Sequence, residues 1–376
     1  MKIVFTGGGT GGHFYPIIAV AEALNALIEE EHLVRPELYY IGPEPYDERA
    51  LYENGITFVQ SPAGKMRRYF SLLNVLDLFK TAIGIIKATL QLYKLYPDIV
   101  FSKGGYASFP TLVAARILRI PVMIHESDAS PGRVTKWAAQ FARRIAVAYP
   151  ETAQFFPGKN VARTGIPVRK DFFTQAKAGG ADFFKWNEEL PTLFILGGSQ
   201  GAQRINDVIL DALPQLTERY NVIHQTGPKN FEEVDRTSKL VLRENPHADR
   251  YKPFPFLNTL SMKMAAGAAT LIISRAGSGT IFEIATWGIP AILIPIPEEI
   301  SHDQRKNAYA YARSRGAIVV EEHNLTPNLL VSEINRLTED QKLMEEMRAA
   351  GKSFATPDAA RIIAIGLLEI VLEHEQ

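Results

Sequence analysis

The chain has 376 residues, enough for two domains that each bury their own core. Lys+Arg and Asp+Glu both total 41, so it lacks the basic excess of a general nucleic-acid binder. It has no cysteine, which excludes disulfides and thiolate-held metals, and no run of about 18 uncharged apolar residues that would span a bilayer. The first residues already read as a strand, so no signal peptide is expected and the expected setting is cytoplasmic.

Residues 2–6 read as a strand that ends in Gly7-Gly8-Gly9-Thr10-Gly11-Gly12-His13. An amphipathic helix opened by Pro16 follows, with Ile17, Ala21, Leu24 and Ile28 on one face. Strands are expected at 38–42 and 56–59, then a long helix over 71–96 stopped by Pro97. Next come a strand at 98–102 running into Lys103-Gly104-Gly105-Tyr106, a helix at 109–118 and a strand at 121–125. A helix at 132–142 and a strand at 144–148 complete the first half. Strands alternating with helices predict βα units and a parallel sheet.

Turn residues cluster between Pro150 and Pro167, after which the rhythm restarts. A strand at 192–196 leads into a second glycine turn, Gly197-Gly198-Ser199-Gln200-Gly201-Ala202, and a helix. Further strands are expected at 222–225, 270–274, 291–295 and 317–320, with helices near 259–266, 279–287, 302–315 and 327–350. A last helix at 358–373 follows Thr356-Pro357 and is expected to return to the first half. Each half thus opens with strand, glycine turn and helix, a form that holds phosphate on the N–H groups of a helix start. The expected fold class is α/β, two Rossmann-like domains whose parallel sheets face across a cleft, with ligands at the strand C-termini.

Four constellations carry chemistry. Gly7, Gly9 and Gly12 match G-x-G-x-x-G, but the second strand ends Ile41-Gly42-Pro43-Glu44, a poor place for the acidic ribose ligand of a dinucleotide site. His13 stands at a helix start, where the dipole keeps its ring neutral. It reads either as a general base or as a residue that holds the loop in shape. In Ser274-Arg275-Ala276-Gly277-Ser278-Gly279-Thr280 the turn suits a diphosphate, with Ser278 as N-cap. Glu283 lies one turn on, placed for the vicinal hydroxyls of a ribose or simply facing solvent. Ser301-His302-Asp303-Gln304 opens a helix with groups that read sugar hydroxyls or act only as caps. His125-Glu126-Ser127-Asp128 ends a strand near His13; a metal reading is set aside because adjacent strand residues point in different directions. Separately, basic residues stand beside apolar ones from Lys65 to Leu76, as in an interfacial membrane contact or a buried helix with a charged lead-in.

Taken together, six motifs in order resemble the MurG family. They are Gly8 to His13; Gly104-Gly105-Tyr106 with His125-Glu126; Thr164-Gly165-Ile166-Pro167-Val168-Arg169; Gly197 to Ala202; Arg275 to Thr280 with Glu283; and His302-Asp303-Gln304 with Asn307-Ala308. These enzymes move N-acetylglucosamine from UDP-N-acetylglucosamine to lipid I, an undecaprenyl-pyrophosphoryl-muramyl pentapeptide, giving lipid II for peptidoglycan. The resemblance implies a GT-B fold. Residues 1–165, joined by a C-terminal helix at 357–376, would take the lipid acceptor, and residues 166–356 would take UDP-N-acetylglucosamine. It implies donor contacts at Thr10, Gly11, Gly12 and Asp128, with Gly104, Gly105 and Tyr106 lining the same substrate face. Arg169, Ser199 and Gln200 would meet phosphates or sugar, Leu257 the uracil, Ser278, Gly279 and Thr280 the diphosphate, Glu283 the ribose and Gln304 the sugar hydroxyls. His13 and Glu126 are the candidate bases, in that order. No cofactor or metal is implied; the partners are the two substrates and the anionic inner leaflet, at the cytoplasmic membrane face.

The chain departs from the family pattern in three places. Asp128 stands where the family usually has Asn, Ile166 replaces a usual Asn, and about two extra residues lie between Leu257 and Arg275. A transferase for another lipid or polysaccharide acceptor, a UDP-sugar epimerase and a non-catalytic UDP-sugar-binding subunit are the alternatives.

Overall fold

The computed structural model describes residues 1–64, 73–174, 176, 179–186, 190–198, 201–299 and 303–373. The chain divides into two compact units, residues 1–169 with 356–376, and residues 170–355.

The first unit is built on β1 (Lys2–Thr6), whose inner residues Ile3, Val4 and Phe5 are fully buried. The Thr10 turn then starts α1 (Gly11–Glu30). This helix begins five residues before Pro16, which lies inside it. A proline in the second turn removes one hydrogen bond, leaving the Gly12 carbonyl without its i+4 donor, and the rest of the helix continues. Ile17, Ala21, Leu24 and Ile28 face the core as expected. Next come β2 (Glu37–Gly42), α2 (Glu48–Glu53), β3 (Ile56–Gln60), α3 (Leu73–Leu95), β4 (Ile99–Ser102), α4 (Phe109–Ile117), β5 (Val122–Glu126), α5 (Arg133–Ala138), β6 (Arg144–Val147) and β7 (Val161–Arg163). All seven strands are parallel, in the order β3-β2-β1-β4-β5-β6-β7. The order reverses between β1 and β4, so the loops leaving these strands diverge and open a crevice there. Phe5 lies level with Tyr40 and Phe101, and Thr6 with Ser102. His13 and the Lys103 turn are thereby brought to one edge.

The second unit repeats the plan. It runs α6 (Gly180–Phe184), β8 (Thr192–Leu196), α7 (Gln203–Arg219), β9 (Asn221–Gln225), α8 (Phe231–Val241), β10 (Tyr251–Phe254), α9 (Thr259–Ala268), β11 (Leu271–Ser274), α10 (Ser278–Trp287), β12 (Ala291–Leu293), α11 (Gln304–Arg313), β13 (Ala317–Val319), α12 (Pro327–Glu339) and α13 (Gln341–Phe354). Its six parallel strands lie in the order β10-β9-β8-β11-β12-β13, with the reversal between β8 and β11. Sequence periodicity passes over α2, α8, β7 and β10. β10 contains Pro253 and is an edge strand, the place a sheet tolerates a missing N–H. The single helix expected over 327–350 is two. Asp340 ends α12 and its carboxylate accepts the Leu343 N–H (2.9 Å), capping α13.

The last helix, α14 (Ala359–Leu372), belongs to the first unit and packs Ile363, Leu367 and Ile370 into the core that α1 lines. Its rim pairs, Arg144 with Glu369 and Arg361 with Glu30, are solvent-exposed and add little.

α3 is unlike the other helices. Gly84 and Ala88 form a narrow inner face close to Pro62, while Leu76, Phe79, Ile83, Ile86, Leu90 and Tyr93 are all more than half exposed. Their spacing of three and four residues makes one apolar stripe, and exposed Lys80, Lys87 and Lys94 flank it at intervals of seven. Of the basic-apolar stretch singled out in the sequence, residues 65–72 and the side chains of 73–75 lie outside the described residues; Leu76 is its one described side chain. Among the described residues no helix is long and apolar enough to cross a membrane.

Candidate active site

In the first unit, the glycines after β1 are dictated by packing. A Cβ at Gly8 would lie 2.6 Å from the Tyr40 hydroxyl, and one at Gly9 would lie 2.7 Å from the Tyr106 ring. Gly9 also holds φ at +91°, a conformation few other residues adopt. Tyr40, buried at the end of β2, donates its hydroxyl to the Gly7 carbonyl and pins the turn. The turn delivers Thr10 to the N-cap position of α1, yet the Thr10 side chain caps no N–H. Its hydroxyl pairs instead with His13 Nδ1 at 2.9 Å. Gly11 and Gly12 therefore open the helix without a side-chain cap, and the first-turn N–H groups project from its end. Gly12 is exposed, and Gly11 lies beside Tyr15 and Tyr46.

His13 is half-buried, and its pKa is lowered to about 4, chiefly by burial and then by the Lys103 ammonium, with Asp128 pulling the other way. The imidazole is thus neutral at pH 7. Gly105, with φ at +81°, lies against the ring: a Cβ there would be 3.6 Å from Nε2. Gly104 is tighter: a Cβ there would lie 3.0 Å from Thr135 Oγ1.

Glu126, at the end of β5, is 6% exposed. Its Oε1 accepts the Asp128 N–H and its Oε2 the Gly132 N–H, both at 3.1 Å, and the Thr135 hydroxyl adds a third bond. Burial and then Asp128 raise its pKa to about 7 against these bonds. Its lone pairs hold the loop between β5 and α5. Asp128, in that loop, is half-buried. His125 does not reach the face expected for it. Its side chain is fully buried, Nε2 pairs with the Gly165 carbonyl at 2.7 Å, and Nδ1 has no partner. Burial, then Lys103, lowers its pKa well below the usual range. Among the described residues no three His, Asp or Glu side chains converge to hold a metal.

Tyr106 lies beside Gly9, and the Arg169 guanidinium stacks over the Tyr15 ring at 4.2 Å, two residues from His13 along α1. Sequence reasoning passed over Lys103 as a site residue. Its 2% exposure makes it the most buried lysine of the described chain. The signal was in plain sight: a lysine directly after the strand Ile99-Val100-Phe101-Ser102 and before two glycines.

In the second unit the corresponding switch point lies between the turns after β8 and β11. Ser199 and Gln200 lie outside the described residues, flanked by Gly198 and Gly201 at positive φ. After β11, Gly277 takes the N-cap position with φ −66° and ψ 134°. Ser278 is therefore not the cap: it is the first residue of α10 and is buried, because the extended cap conformation falls one residue earlier. A glycine cap has no side chain to turn inward, so no cap side chain meets the first-turn N–H groups of α10. Among the described residues, a Cβ at Gly277 or Gly279 would meet no atom within 4 Å. Glu283 is half-buried one turn along α10, on the side of Gly279 and Thr280. Arg275 is not turned to this end: it pairs with Glu322 and donates to the Ile294 carbonyl at 3.3 Å.

Gln304 starts α11, and its Oε1 accepts the Ile296 N–H at 3.3 Å, so what it offers a ligand is its amide N–H₂. The Leu257 N–H donates to Gln225 Oε1 at 3.3 Å; a base edge using that N–H would have to replace Gln225. His224 is buried between Asn206 Oδ1 (3.0 Å) and the Tyr251 hydroxyl (2.9 Å), with its pKa lowered by burial to about 3, a neutral structural histidine.

Residues 3–147 match the glycosyltransferase family 28 N-terminal domain and residues 192–362 its C-terminal domain. A Treponema denticola protein named UDP-N-acetylglucosamine--N-acetylmuramyl-(pentapeptide) pyrophosphoryl-undecaprenol N-acetylglucosamine transferase is 36% identical over 96% of each chain. The crystal structure of Acinetobacter baumannii MurG is similar at a TM-score of 0.72 and 26% identity, covering 98% of this chain and 99% of that one. A UDP-GlcNAc 2-epimerase from Neisseria meningitidis shares the fold at a TM-score of 0.70 but only 15% identity, over 98% of this chain and 100% of that one. With both glycine turns matched in order and relatives aligned end to end, the chain belongs to the MurG family of glycosyltransferases.

Proposed function

We propose that the protein transfers N-acetylglucosamine from UDP-N-acetylglucosamine to the 4-hydroxyl of undecaprenyl-pyrophosphoryl-muramyl pentapeptide, inverting C1. The observation that carries this is the near full-length identity to transferases of that name. The second unit takes the donor. The first-turn N–H groups of α10 receive the diphosphate, and Glu283 accepts the ribose hydroxyls. Gln304 reads sugar hydroxyls, and Leu257 lies by the uracil. Ser199, Gln200 and Arg169 add donors to the phosphates and sugar.

The first unit takes the acceptor and its proton. The attacking hydroxyl displaces UDP from C1, a C–O bond forming as the C1–O–phosphate bond breaks. The hydroxyl proton passes to His13. With Nδ1–H donating to Thr10 Oγ1, the Nε2 lone pair beside Gly105 accepts it. Glu126 holds its loop, and Asp128 faces His13. Gly11, Gly12, Gly104 and Tyr106 shape the face where hydroxyl and donor sugar meet. Charge growing on the leaving diphosphate is met by the α10 helix end, whose dipole is in place before reaction.

A lipid-linked acceptor fits the exposed stripe of α3. Its six apolar side chains suit the acyl boundary, and Lys80, Lys87 and Lys94 suit acidic headgroups, each worth roughly 1 kcal/mol near such a surface. This supports peripheral attachment at the cytoplasmic face. Replacing Phe79 and Ile83 with Glu is expected to abolish sedimentation with phosphatidylglycerol vesicles. Transfer to a short-chain, soluble acceptor should be retained; sedimentation as in the wild type would refute the assignment.

The function itself is tested by incubating UDP-N-acetylglucosamine with and without a lipid I analogue. UDP release only with acceptor is the expected result. A new UDP-sugar formed without acceptor would make the protein an epimerase, and UDP binding with no product would make it a donor-presenting subunit.

A further inference from the structure

Three neighbouring strand ends of the first unit hold titratable groups against one another. β1 leads to His13, β4 runs into Lys103, and β5 carries His125 and Glu126 with Asp128 two residues on. The reaction as described gives Lys103 no task. A lysine with 2% of its surface exposed needs partners for its charge, because burying an unpaired ammonium costs several kcal/mol.

Lys103 is tied on both sides. Its N–H donates to the Thr6 carbonyl at 2.9 Å, and its Cβ packs so closely on Gly7 that a methyl there would lie 2.9 Å away. Its ammonium reaches the other way and donates to Ser127 Oγ, the residue between Glu126 and Asp128. Two residues further on, Gly105 lies against the His13 ring. One side chain therefore spans from the edge where His13 stands to the loop that carries both carboxylates.

We propose that Lys103 is a positioning residue of the transfer, its ammonium fastening the Glu126–Asp128 loop beside His13 and balancing that loop's charge. This rests on the transferase reading of the site. The groups that face one another are His13 from the β1–α1 turn, Lys103 from β4, and His125, Glu126 and Asp128 from β5 and its loop. Burial lowers the Lys103 pKa to about 8, with Glu126 and then Asp128 supporting the charge. Lys103 in turn disfavours a proton on His13. Removing the ammonium leaves two carboxylates opposed and makes His13 easier to protonate. Neutralising Asp128 in the same molecule restores the balance.

The test uses Lys103→Met, Lys103→Arg, Asp128→Asn and the double variant Lys103→Met/Asp128→Asn. The His13 titration is followed by NMR of histidine-labelled protein without substrate, and kcat/KM by acceptor-dependent UDP release. Lys103→Met is expected to move the His13 midpoint up by about one pH unit, with the acid limb of kcat/KM following it. It should lower kcat at least about tenfold with KM for UDP-N-acetylglucosamine unchanged. Lys103→Arg should recover part of kcat and the double variant most of it. An unmoved His13 midpoint, or single losses that simply multiply in the double variant, overturns the proposal. Should Lys103→Met fail to fold, the comparison runs between Asp128→Asn and the double variant, where the His13 midpoint must again rise. A wild type that transfers nothing removes the transferase reading, while the His13 titrations still decide whether Lys103 sets the charge.

Discussion

The glycine turns at 7–9 and 277–279 read alike in sequence and differ in what makes them glycine. In the first, the protein itself excludes a side chain: Tyr40 and Tyr106 occupy the places where Cβ atoms would go, and Gly9 sits at positive φ. In the second, Gly277 has an ordinary φ, and no described atom lies within 4 Å of a Cβ position at Gly277 or Gly279. Among the described residues nothing requires glycine there. The first turn is a shaped support for His13, and the second is an open helix end. Among the described residues the titratable cluster of His13, Lys103, Glu126 and Asp128 stands at the first turn, the end to which the proposed mechanism assigns proton transfer.

The largest effect expected from this division is on His13→Ala. Turnover should fall about 10²–10⁴-fold while UDP affinity stays within about twofold. Turnover near wild type with the lipid acceptor would remove His13 as base. Glu283→Ala should leave the chemistry of bound substrate largely intact but weaken UDP binding about 10- to 100-fold by calorimetry. An unchanged dissociation constant would end the ribose assignment.

The glycines test the comparison directly. Gly9→Ala is expected to cost more than about 1 kcal/mol of stability in denaturant melts, because the new methyl meets the Tyr106 ring at a strained φ. Gly279→Ala, inside α10, should leave stability unchanged or raise it by up to about 1 kcal/mol, yet weaken UDP binding about tenfold. If Gly279→Ala destabilised the fold and spared UDP, the two turns would be of one kind.

The smallest change is expected on moving from pH 7 to pH 5. The His13 pKa lies near 4, so its neutral, proton-accepting form persists at pH 5 and is lost only as the pH falls through about 4. The Glu126 pKa lies near 7, so with Glu126 as base kcat/KM would drop about tenfold per pH unit below 7. A nearly flat kcat/KM over that interval identifies the base as His13.

Much of this molecule was legible in order of residues. Strand, glycine turn and helix recur because an apolar β-branched run followed by glycines has few other solutions. His13, Glu283 and the two turns are therefore placed by local pattern, and the family by their sequence order. Where local rules conflicted, the pattern misled. Pro16 looked like a helix start, and Ser278 like a cap, although the chain turns one residue earlier at Gly277. β10 was hidden by Pro253 and the Asp340 break by continuous helical periodicity.

The sequence alone determined two parallel α/β units, their glycine turns and the membership of the MurG family, because short-range periodicity and turn chemistry are written in neighbouring residues. Only tertiary structure decided which buried groups touch. It turned His125 away to Gly165, used the Glu126 lone pairs on backbone N–H groups, bonded His13 to Thr10 and ran Lys103 across to Ser127. The longest of those contacts, Lys103 to Ser127 and His125 to Gly165, join residues 24 and 40 positions apart in sequence. No local rule fixes which side chains meet when a sheet brings such strand ends together.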